Sequence, residues 1–263
     1  MKTVGELPVT APLPWAPLLA YLNPRLTPQI ERVTADAYER QLGGTTLRVT
    51  FPTGTGCLRL QADGPLDADD ALRRVARLFD VADDAREARV ALRDDPVIGP
   101  RLARLPGLRA MGAWCPFELC VRTVLGQQVT VAAAGTLMQR LVARCGGLTP
   151  PSVLAADLSA MGMPGRRVET VRRLAAVFAD NPPLLNTAPG SETVSALQAV
   201  AGIGPWTLAY LGIRLGRQAD AFPHTDVGLL RGAGVTSPSA LLALAESWRP
   251  YRALAALYLW NVP

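Results

Sequence analysis

The sequence predicts an α+β protein, with a small antiparallel sheet in its N-terminal third and helices over the rest of the chain. Two segments, 45–51 and 57–62, alternate apolar and polar residues as strands do, and the Pro- and Gly-rich stretch between them predicts a turn. After about residue 96 the apolar residues recur every three or four positions, which is typical of amphipathic helices. The third observation is a Gly-rich turn, 200–204, between two helical patterns.

The N-terminal elements follow from the spacing of apolar side chains. A helix is predicted from Asp67 to Phe79, and Asp94-Asp95-Pro96 marks the break after it. We therefore place the first domain at residues 1–92. Further along, Thr130 is a predicted N-cap for a helix that ends at Cys145, before Gly146. The predicted apolar faces are Leu47, Val49 and Phe51 on the first strand, Leu58, Leu60 and Ala62 on the second, and Leu72, Val75, Ala76 and Phe79 on the helix.

Composition limits the function classes without selecting one. A chain of 263 residues can form two or three compact units, and a net charge of +5 suits a polyanionic partner. Lys2 is the only lysine, so every other basic side chain is an arginine. The four cysteines have neither zinc-knuckle nor iron–sulfur spacing, and they are predicted to be thiols in a reducing cytoplasm. The sequence shows no signal peptide and no membrane-spanning apolar run, so we expect a cytoplasmic protein without membrane contact.

The Gly-rich turn is the first candidate for ligand binding. A helix is predicted from Ser191, as N-cap, with Val194, Leu197 and Val200 on one face. A second helix opens with Pro205 and runs to about residue 216. Gly202 and Gly204 would let the backbone approach a ligand closely, and the free amides of the second helix would attract phosphate. The alternative is that glycine serves only to turn the chain between two helices.

The segment after this helix, Phe222-Pro223-His224-Thr225-Asp226-Val227-Gly228-Leu229, adds a lone carboxylate at a fixed distance from the turn. A Gly-rich hairpin followed by such an aspartate resembles the helix-hairpin-helix DNA glycosylases of the endonuclease III superfamily, and within it the 3-methyladenine DNA glycosylase II, or AlkA, type. The resemblance extends to segments 117–118, 121–129, 160–164 and 248–252 in the expected order, and more loosely to the first hundred residues. It therefore covers nearly the whole chain.

The resemblance implies the remaining domain organisation. Residues 116–218 would form a helical subdomain that contains the helix-hairpin-helix at 191–216. Residues 93–115 would join 219–263 in a second helical subdomain that carries the catalytic aspartate. The active-site cleft would then lie between the two all-α subdomains.

Asp226 is the candidate catalytic residue. By the resemblance it occupies the place of the family's essential acid, where a carboxylate stabilises an oxocarbenium-like state and orients or deprotonates the attacking water. The alternative is an N-cap for a helix that starts at Val227, and both roles can hold at once.

Aromatic residues are the candidate base pocket. Trp206 stands where bifunctional relatives have the lysine that forms a Schiff base, so the resemblance implies hydrolysis without a lyase step. The resemblance also places Trp260, Tyr210 and Tyr21 at the pocket, although each could be an ordinary core aromatic. An electron-rich pocket of this kind predicts a preference for cationic, N-alkylated purines over neutral lesions.

The resemblance assigns the DNA contacts to the hairpin and to one loop. Gly202, Gly204 and Thr207 would bind the DNA backbone, and Gln128 would fill the gap left by the flipped nucleotide. Gln127 and Gln128 could instead satisfy backbone groups at a helix end. No cofactor is implied, apart from a structural monovalent cation bound by the backbone carbonyls of the hairpin residues Gln198, Val200 and Ile203.

The expected function is therefore that of a monofunctional DNA glycosylase acting on double-stranded DNA that contains alkylated bases such as 3-methyladenine and 7-methylguanine. Extruding a damaged, weakly paired base costs less than extruding a normal one, which contributes to selection. Two alternatives stay open: a glycosylase for oxidised or mismatched bases, and a helix-hairpin-helix protein that grips DNA without catalysis. A monomer with no protein partner is expected.

Overall fold

A five-stranded antiparallel sheet forms the N-terminal part of the molecule, in the strand order β1-β5-β4-β3-β2. The computed structural model describes residues 1–82, 85–186 and 190–261. Both predicted strands are present and pair with each other as a hairpin, and Leu47, Val49, Leu58 and Leu60 are fully buried. The strands are β1 Lys2–Pro8, β2 Glu31–Val33, β3 Ala37–Leu42, β4 Thr45–Thr50 and β5 Cys57–Ala62.

Three of the five strands were not predicted, and β3 shows why. Its central residues Glu39 and Arg40 are buried at 5% and 4% exposure, so the strand lacks the alternating pattern that marks a half-buried strand. Arg40 is paired with Glu31 on β2, at 3.1 Å, and with Glu118 outside the sheet. Because these charges are satisfied only after the chain has folded, local sequence gives no signal for the strand.

Helices account for the chain after the sheet. The described residues contain the helices α1 Trp15–Leu22, α2 Ala68–Phe79, α3 Arg86–Ala91, α4 Gly99–Arg104, α5 Pro116–Leu125, α6 Val131–Cys145, α7 Pro150–Ala155, α8 Gly165–Asp180, α9 Ser191–Ala196, α10 Pro205–Arg214, α11 Val227–Ala233, α12 Pro238–Ala245 and α13 Arg252–Trp260. Short 3₁₀ segments are Asn23–Arg25, Pro182–Leu185 and Glu246–Trp248. The fold class is α+β, as predicted.

The predicted helix boundaries rest on capping chemistry that the structure contains. Asp67 is the N-cap of α2 and accepts a hydrogen bond from the amide of Asp70 at 3.0 Å. Thr130 caps α6 in the same way, and Gly146 ends that helix in the left-handed conformation. No single helix in the described ranges is long and apolar enough to cross a membrane. Only the pair Val227–Ala233 and Pro238–Trp248, bent by 61°, passes a test of length and composition.

Two hydrophobic cores hold the helices and the sheet. The first combines sheet and α2 residues with the C-terminal helices, and it includes Val49, Leu60, Phe79, Trp248 and Leu259. The second lies within α5 to α10 and includes Phe117, Leu141, Phe178, Leu197 and Leu211. The N-terminal domain therefore shares its core with the C-terminal helices, while the hairpin subdomain has a core of its own.

Three hydrogen bonds join segment 93–115 to segment 219–263. The Arg101 guanidinium donates to the carbonyl of Gly232 at 2.6 Å, and the Trp248 indole donates to Asp95 at 2.9 Å. The hydroxyl of Tyr258 donates to the carbonyl of Leu105 at 3.0 Å. The two segments thus lie together, although the exact domain boundaries stay a prediction.

Candidate active site

The hairpin is tighter than its sequence pattern predicted. Helix α9 ends at Ala196 and not at Val200, and its N-cap is Gly190 rather than Ser191. After α9 the amides of Leu197, Gln198 and Val200 each donate to the carbonyl three residues earlier. The Val200 amide, for example, donates to the carbonyl of Leu197 at 3.1 Å. The three-residue spacing of Val194, Leu197 and Val200 suits this 3₁₀-like geometry, and all three are buried.

The two glycines of the turn have different physical reasons to be glycine. Gly202 has a φ of +97°, and a Cβ there would lie 2.0 Å from Oγ1 of Thr170 on α8. Gly204 has extended backbone, and nothing lies within 4 Å of where its Cβ would be. Gly202 therefore allows the hairpin to pack on α8, whereas Gly204 leaves open space in front of the start of α10.

Several backbone amides at this turn have no hydrogen-bond acceptor in the described part of the chain, among them those of Gly202, Gly204, Trp206 and Thr207. The first bonded amide of α10 is that of Leu208, which donates to Gly204 at 3.0 Å. Free amides at the positive end of a helix are a binding site for phosphate groups.

Thr207 contributes differently from what was expected of a DNA contact. Its side chain is 2% exposed, and its hydroxyl accepts a hydrogen bond from Nε2 of Gln127 at 3.0 Å. The same Gln127 nitrogen donates to the carbonyl of Gly202 at 3.0 Å. The side chain of Thr207 therefore fixes the hairpin, and its backbone amide is the group left for the predicted DNA contact, which stays a prediction.

Gln127 and Gln128 differ in their surroundings: Gln127 bonds backbone and side-chain groups of the hairpin, whereas Gln128 is exposed. Gln127 satisfies hairpin groups, and its own carbonyl accepts from Arg167 at 2.7 Å. Gln128 is exposed and has a φ of +56°, a conformation that costs a non-glycine residue about 1–2 kcal/mol. Val129, 37% exposed, and Val131, 42% exposed, stand beside it. Gln128 is therefore exposed to solvent on this loop.

Arginines that the sequence analysis did not single out line a cavity of about 500 Å³ beside the hairpin. Arg166 and Arg173 are exposed on α8, and Arg173 pairs with Glu169, another lining residue, at 3.1 Å. Gln128 and Gly202 also line the cavity. No pattern in the sequence marks these arginines among the 27 basic residues, because only packing of α8 against the hairpin brings them there. The cavity joins the free amides to a positively charged surface.

Asp226 caps α11 and is held by three donors. Its Oδ1 accepts from the amide of Leu229 at 3.0 Å and from Nε1 of Trp260 at 2.9 Å. Its Oδ2 accepts from Nε1 of Trp206 at 2.9 Å. A Cβ at Gly228 would lie 2.9 Å from Oδ1 and 3.1 Å from the Trp260 ring, so glycine there lets the indole reach the carboxylate. The capping role is present, and the carboxylate is at the same time bound to two predicted pocket residues.

The aromatic residues surround this carboxylate. Trp206 and Tyr210 on α10 stack with ring centres 5.5 Å apart and planes at 9°. Trp260, at the end of α13, meets the Tyr210 ring edge-on at 5.6 Å. All three are half-buried, and Tyr210 and Trp260 also pack against the two hydrophobic cores. They bring helices from the hairpin subdomain and the C-terminal segment to one site.

Tyr21 reaches the same site from α1 through a residue that the sequence analysis missed. One terminal nitrogen of Arg214 donates to the Tyr210 hydroxyl at 2.6 Å and to the Tyr21 hydroxyl at 2.9 Å. Arg214 follows Tyr210 by one helical turn, so the spacing of Trp206, Tyr210 and Arg214 on one face of α10 was the available signal. The guanidinium lies 5.5 Å from the centre of the Tyr21 ring and 5.6 Å from that of Tyr210.

The two tyrosines of this cluster have pKa values shifted in opposite directions. Burial raises the pKa of Tyr210 to about 12, with the charge of Arg214 acting against it. Burial also acts to raise the pKa of Tyr21, but the charges of Arg214 and Arg25, together with hydrogen bonds from Tyr210 and Arg214, outweigh it, so that pKa lies below its ordinary value. Arg25 lies over the Tyr21 ring at 4.1 Å.

The chain is similar to known DNA repair proteins over almost its whole length. The chain matches the family described as AlkA N-terminal domain over residues 4–115, and the HhH-GPD superfamily of base excision DNA repair proteins over residues 121–237. It is 31% identical to DNA-3-methyladenine glycosylase 2 of Escherichia coli, over 95% of this chain and 94% of that protein. The chain belongs to the DNA-3-methyladenine glycosylase 2 family.

Other similar proteins differ in how much of their length this chain covers. The chain is 32% identical to a Mycobacterium tuberculosis protein named as a probable bifunctional transcriptional activator and DNA repair enzyme, and it spans only 56% of that protein's length. The structure of a 3-methyladenine DNA glycosylase from Archaeoglobus fulgidus superposes with a TM-score of 0.77, at 20% identity and 97% coverage of both chains. The α+β fold with its helix-hairpin-helix is therefore that of the family.

Carbonyl groups of the hairpin are the only predicted metal ligands. The carbonyls of Gln198 and Ile203 accept no hydrogen bond within the described residues, and that of Val200 accepts only from Ile203 N–H, at 3.0 Å. Free carbonyl oxygens fit a hard cation. Among the residues that the structure describes, no three His, Cys, Asp or Glu side chains lie together as a metal site.

Proposed function

We propose that the protein is a monofunctional DNA glycosylase that removes alkylated bases from duplex DNA. The observation that carries the proposal is the Asp226 carboxylate, bound by the indoles of Trp206 and Trp260 next to a phosphate-binding hairpin. A module that only gripped DNA would need the hairpin amides, but not a carboxylate fixed within an aromatic cluster.

The proposed reaction follows from this arrangement. A base rotated out of the duplex would lie against the aromatic rings, and its sugar would lie near Asp226. As the glycosidic bond breaks, positive charge develops on the sugar, and the fixed carboxylate stabilises it without having to reorient. The same carboxylate can accept a proton from the attacking water. Since Asp226 is tied to the start of α11 by Leu229 N–H, its position is set by the backbone.

The proposed DNA contacts lie on one side of this site. Phosphates would bind the free amides at Gly202 and Gly204, with Arg166 and Arg173 supplying positive charge beside them. Gln128, held exposed by its left-handed backbone, would enter the gap left by the rotated nucleotide. The hairpin carbonyls of Gln198, Val200 and Ile203 would hold a structural monovalent cation with no part in catalysis.

A lyase step is not part of the proposal. The only lysine is Lys2, on β1, and Trp206 has no amine that could attack the sugar. A neighbour that is an 8-oxoguanine glycosylase/lyase of Clostridium acetobutylicum shares the fold at 14% identity, which carries no argument about the substrate. We also propose a monomer that acts in the cytoplasm, where its four cysteines, none in a disulfide, would stay reduced.

The test is release of base from duplexes that contain one 7-methylguanine, 3-methyladenine or 8-oxoguanine, under single-turnover conditions. We expect release of the methylated bases and not of 8-oxoguanine. Binding of the same duplexes without any release would favour the non-catalytic alternative, and release of 8-oxoguanine alone would favour the other glycosylase class.

A further inference from the structure

Arg214 is a buried cation without an acidic partner in the described part of the chain. Its residue exposure is 6%, and no carboxylate lies within ion-pair distance of it there. Two of its hydrogen bonds go to the carbonyls of Met111 and Gly112, the second at 2.9 Å. The other two go to the hydroxyls of Tyr21 and Tyr210. Burying a charge among neutral acceptors costs desolvation free energy, so a role for Arg214 in the pocket would explain why this charge is kept.

The protons of the two hydroxyls point to an acceptor outside the protein. Each hydroxyl already accepts from Arg214, and each has one O–H proton to donate. At most one of these protons can be shared between Tyr21 and Tyr210. The other has no acceptor among the described residues, in a cluster that borders the rings stacked beside Asp226. One hydroxyl proton of the pair is therefore left without a protein acceptor in the described part of the chain, next to the Tyr210 ring that stacks on Trp206.

We propose that Tyr21, held and polarised by Arg214, donates its hydroxyl proton to the departing base when that base is neutral, such as hypoxanthine. This inference rests on the proposed function and extends it to a second substrate class. Tyr21 would be a catalytic residue for these lesions, and Arg214 a positioning residue that acts through it.

The proton balance distinguishes neutral from cationic lesions. When the bond between the sugar and the base breaks, its electron pair goes to the base nitrogen. A base alkylated on a ring nitrogen leaves as a neutral molecule and needs no proton. A neutral base leaves as an anion unless a proton reaches it, and the Tyr21 hydroxyl supplies that proton and becomes a phenolate next to Arg214. The water that adds to the sugar releases a proton, which restores the hydroxyl through solvent.

The charges around the cluster favour Tyr21 over Tyr210 as the donor. Arg25 faces Tyr21 from the 3₁₀ segment after α1, and Arg214 faces both tyrosines from α10. Burial acts to raise the pKa of Tyr21, but these two charges and the hydrogen bonds from Tyr210 and Arg214 lower it below its ordinary value, whereas burial raises the pKa of Tyr210 to about 12. The phenolate that proton donation leaves behind is thus better stabilised on Tyr21.

The same cluster opposes the preference for cationic bases that the aromatic residues predicted. Trp206, Tyr210 and Trp260 attract a cation through their ring faces. The buried guanidinium of Arg214 repels one from behind the Tyr210 ring. We therefore expect a smaller preference for charged lesions than the rings alone would give.

The experiment compares Tyr21→Phe with the wild-type protein on two duplexes, one with hypoxanthine and one with 7-methylguanine. The ring stays in place and only the hydroxyl is lost. We expect hypoxanthine release to fall about 100-fold, within the range for loss of a general acid. Release of 7-methylguanine should stay within about threefold, since it needs no proton. The ratio of the two rates in one preparation does not depend on how much of the variant is folded.

Two further variants complete the test. Tyr210→Phe should lower the ratio less than Tyr21→Phe does, and a selective loss in Tyr210→Phe alone would overturn the assignment to Tyr21. Tyr251→Phe, at a half-buried tyrosine that precedes α13 and bonds Glu87, is the matched control and should change neither rate. With rising pH, hypoxanthine release by the wild type should fall as Tyr21 loses its proton, and this fall should be absent from Tyr21→Phe.

The outcomes separate this inference from the proposed function. Release of 7-methylguanine with no release of hypoxanthine by the wild type, or an equal loss of both in Tyr21→Phe, overturns the role of Tyr21 and leaves the glycosylase proposal intact. If neither base is released, the proposed function itself fails.

Discussion

At the scale of single residues, Asp226 is a helix cap and also the carboxylate for which we propose the catalytic role. Its Oδ1 caps α11 and bonds Trp260, while its Oδ2 has Trp206 as its protein partner. Because the helix already fixes the carboxylate, the proposed reaction includes no entropy cost for ordering this side chain. The cap and the catalytic charge can be separated by a substitution that keeps the first and removes the second.

Asp226→Asn should retain folding and duplex affinity but lose about 100- to 1,000-fold in base release. Asparagine is as good an N-cap as aspartate, but it has no charge to stabilise the developing cation. Single-turnover release and duplex binding are measured on the same preparation. Asp67→Asn, which changes another helix cap far from the site, is the matched control and should release base at the wild-type rate. Normal release by Asp226→Asn would remove Asp226 from the mechanism.

The identity of residue 206 predicts the product. The reaction should leave an intact abasic site, with strand breaks appearing only after alkali, since an indole cannot form a Schiff base. Treatment with borohydride during the reaction should trap no covalent complex of protein and DNA. A trapped complex in good yield would show that an amine of this chain attacks the sugar.

At the scale of elements, the turn between α9 and α10 has one glycine for packing and one for the ligand. Gly202 is confined by Thr170, and Gly204 faces open space. The Gln127 side chain bonds both Thr207 and the carbonyl of Gly202, so the turn is held by side-chain hydrogen bonds while several of its amides stay free. Substitutions at the two glycines should therefore have different consequences.

Gly204→Val should fold with a thermal midpoint close to that of the wild type and should bind all duplexes, damaged or not, about tenfold more weakly. The added side chain occupies the space through which a phosphate would approach, and loss of a single phosphate contact is independent of sequence. Gly202→Ala should instead lower the thermal midpoint, because its Cβ overlaps Thr170 and its φ is positive. Loss of affinity by Gly204→Val for damaged DNA alone would contradict the phosphate assignment.

At the scale of the whole molecule, the sheet is joined to the hairpin subdomain by buried charges. Arg40 on β3 pairs with Glu118 on α5 and with Glu31, and its guanidinium lies 4.8 Å from the Trp114 ring. Burial raises the pKa of Glu118, and the charge of Arg40 only partly offsets this. This contact joins β2 and β3 of the sheet to α5 of the hairpin subdomain.

Arg40→Met should lower the free energy of unfolding by about 3–5 kcal/mol at neutral pH, because it leaves two carboxylates without their cation. The pKa of Glu118 then rises further above its unfolded value. A raised carboxyl pKa costs stability above that pKa and costs none below the unfolded value, so the loss should shrink as the pH falls towards 5. Urea denaturation at pH 7 and pH 5 measures both effects.

Two further variants check this explanation. Arg40→Met with Glu118→Gln should recover part of the lost stability, since one unpaired charge is removed. Arg59→Met breaks an exposed pair with Glu6 and should cost at most about 1 kcal/mol. An equal loss at both pH values would mean that Arg40 acts through its packing on Trp114 and not through its charge.

Local sequence determined those features that depend on near neighbours along the chain. The β4–β5 hairpin, the caps Asp67, Thr130 and Asp226, and the start of α10 at Pro205 all agree with the structure. Each depends on side-chain alternation or on a bond across a few residues, which is why it can be read in one segment. The family resemblance added Trp206, Trp260, Tyr210 and Tyr21, which the structure brings to one place around Asp226 and Arg214.

Tertiary structure decided what depends on charges and backbone groups that meet across the chain. Strand β3 exists with Glu39 and Arg40 inside because their partners come from other strands and from α5. The inward position of Thr207 and the buried Arg214 between two tyrosines arise in the same way. In each case the free-energy cost of burying a polar group is offset by a hydrogen-bond or ion-pair partner distant in sequence. The periodicity of apolar residues along the chain does not predict such a partner.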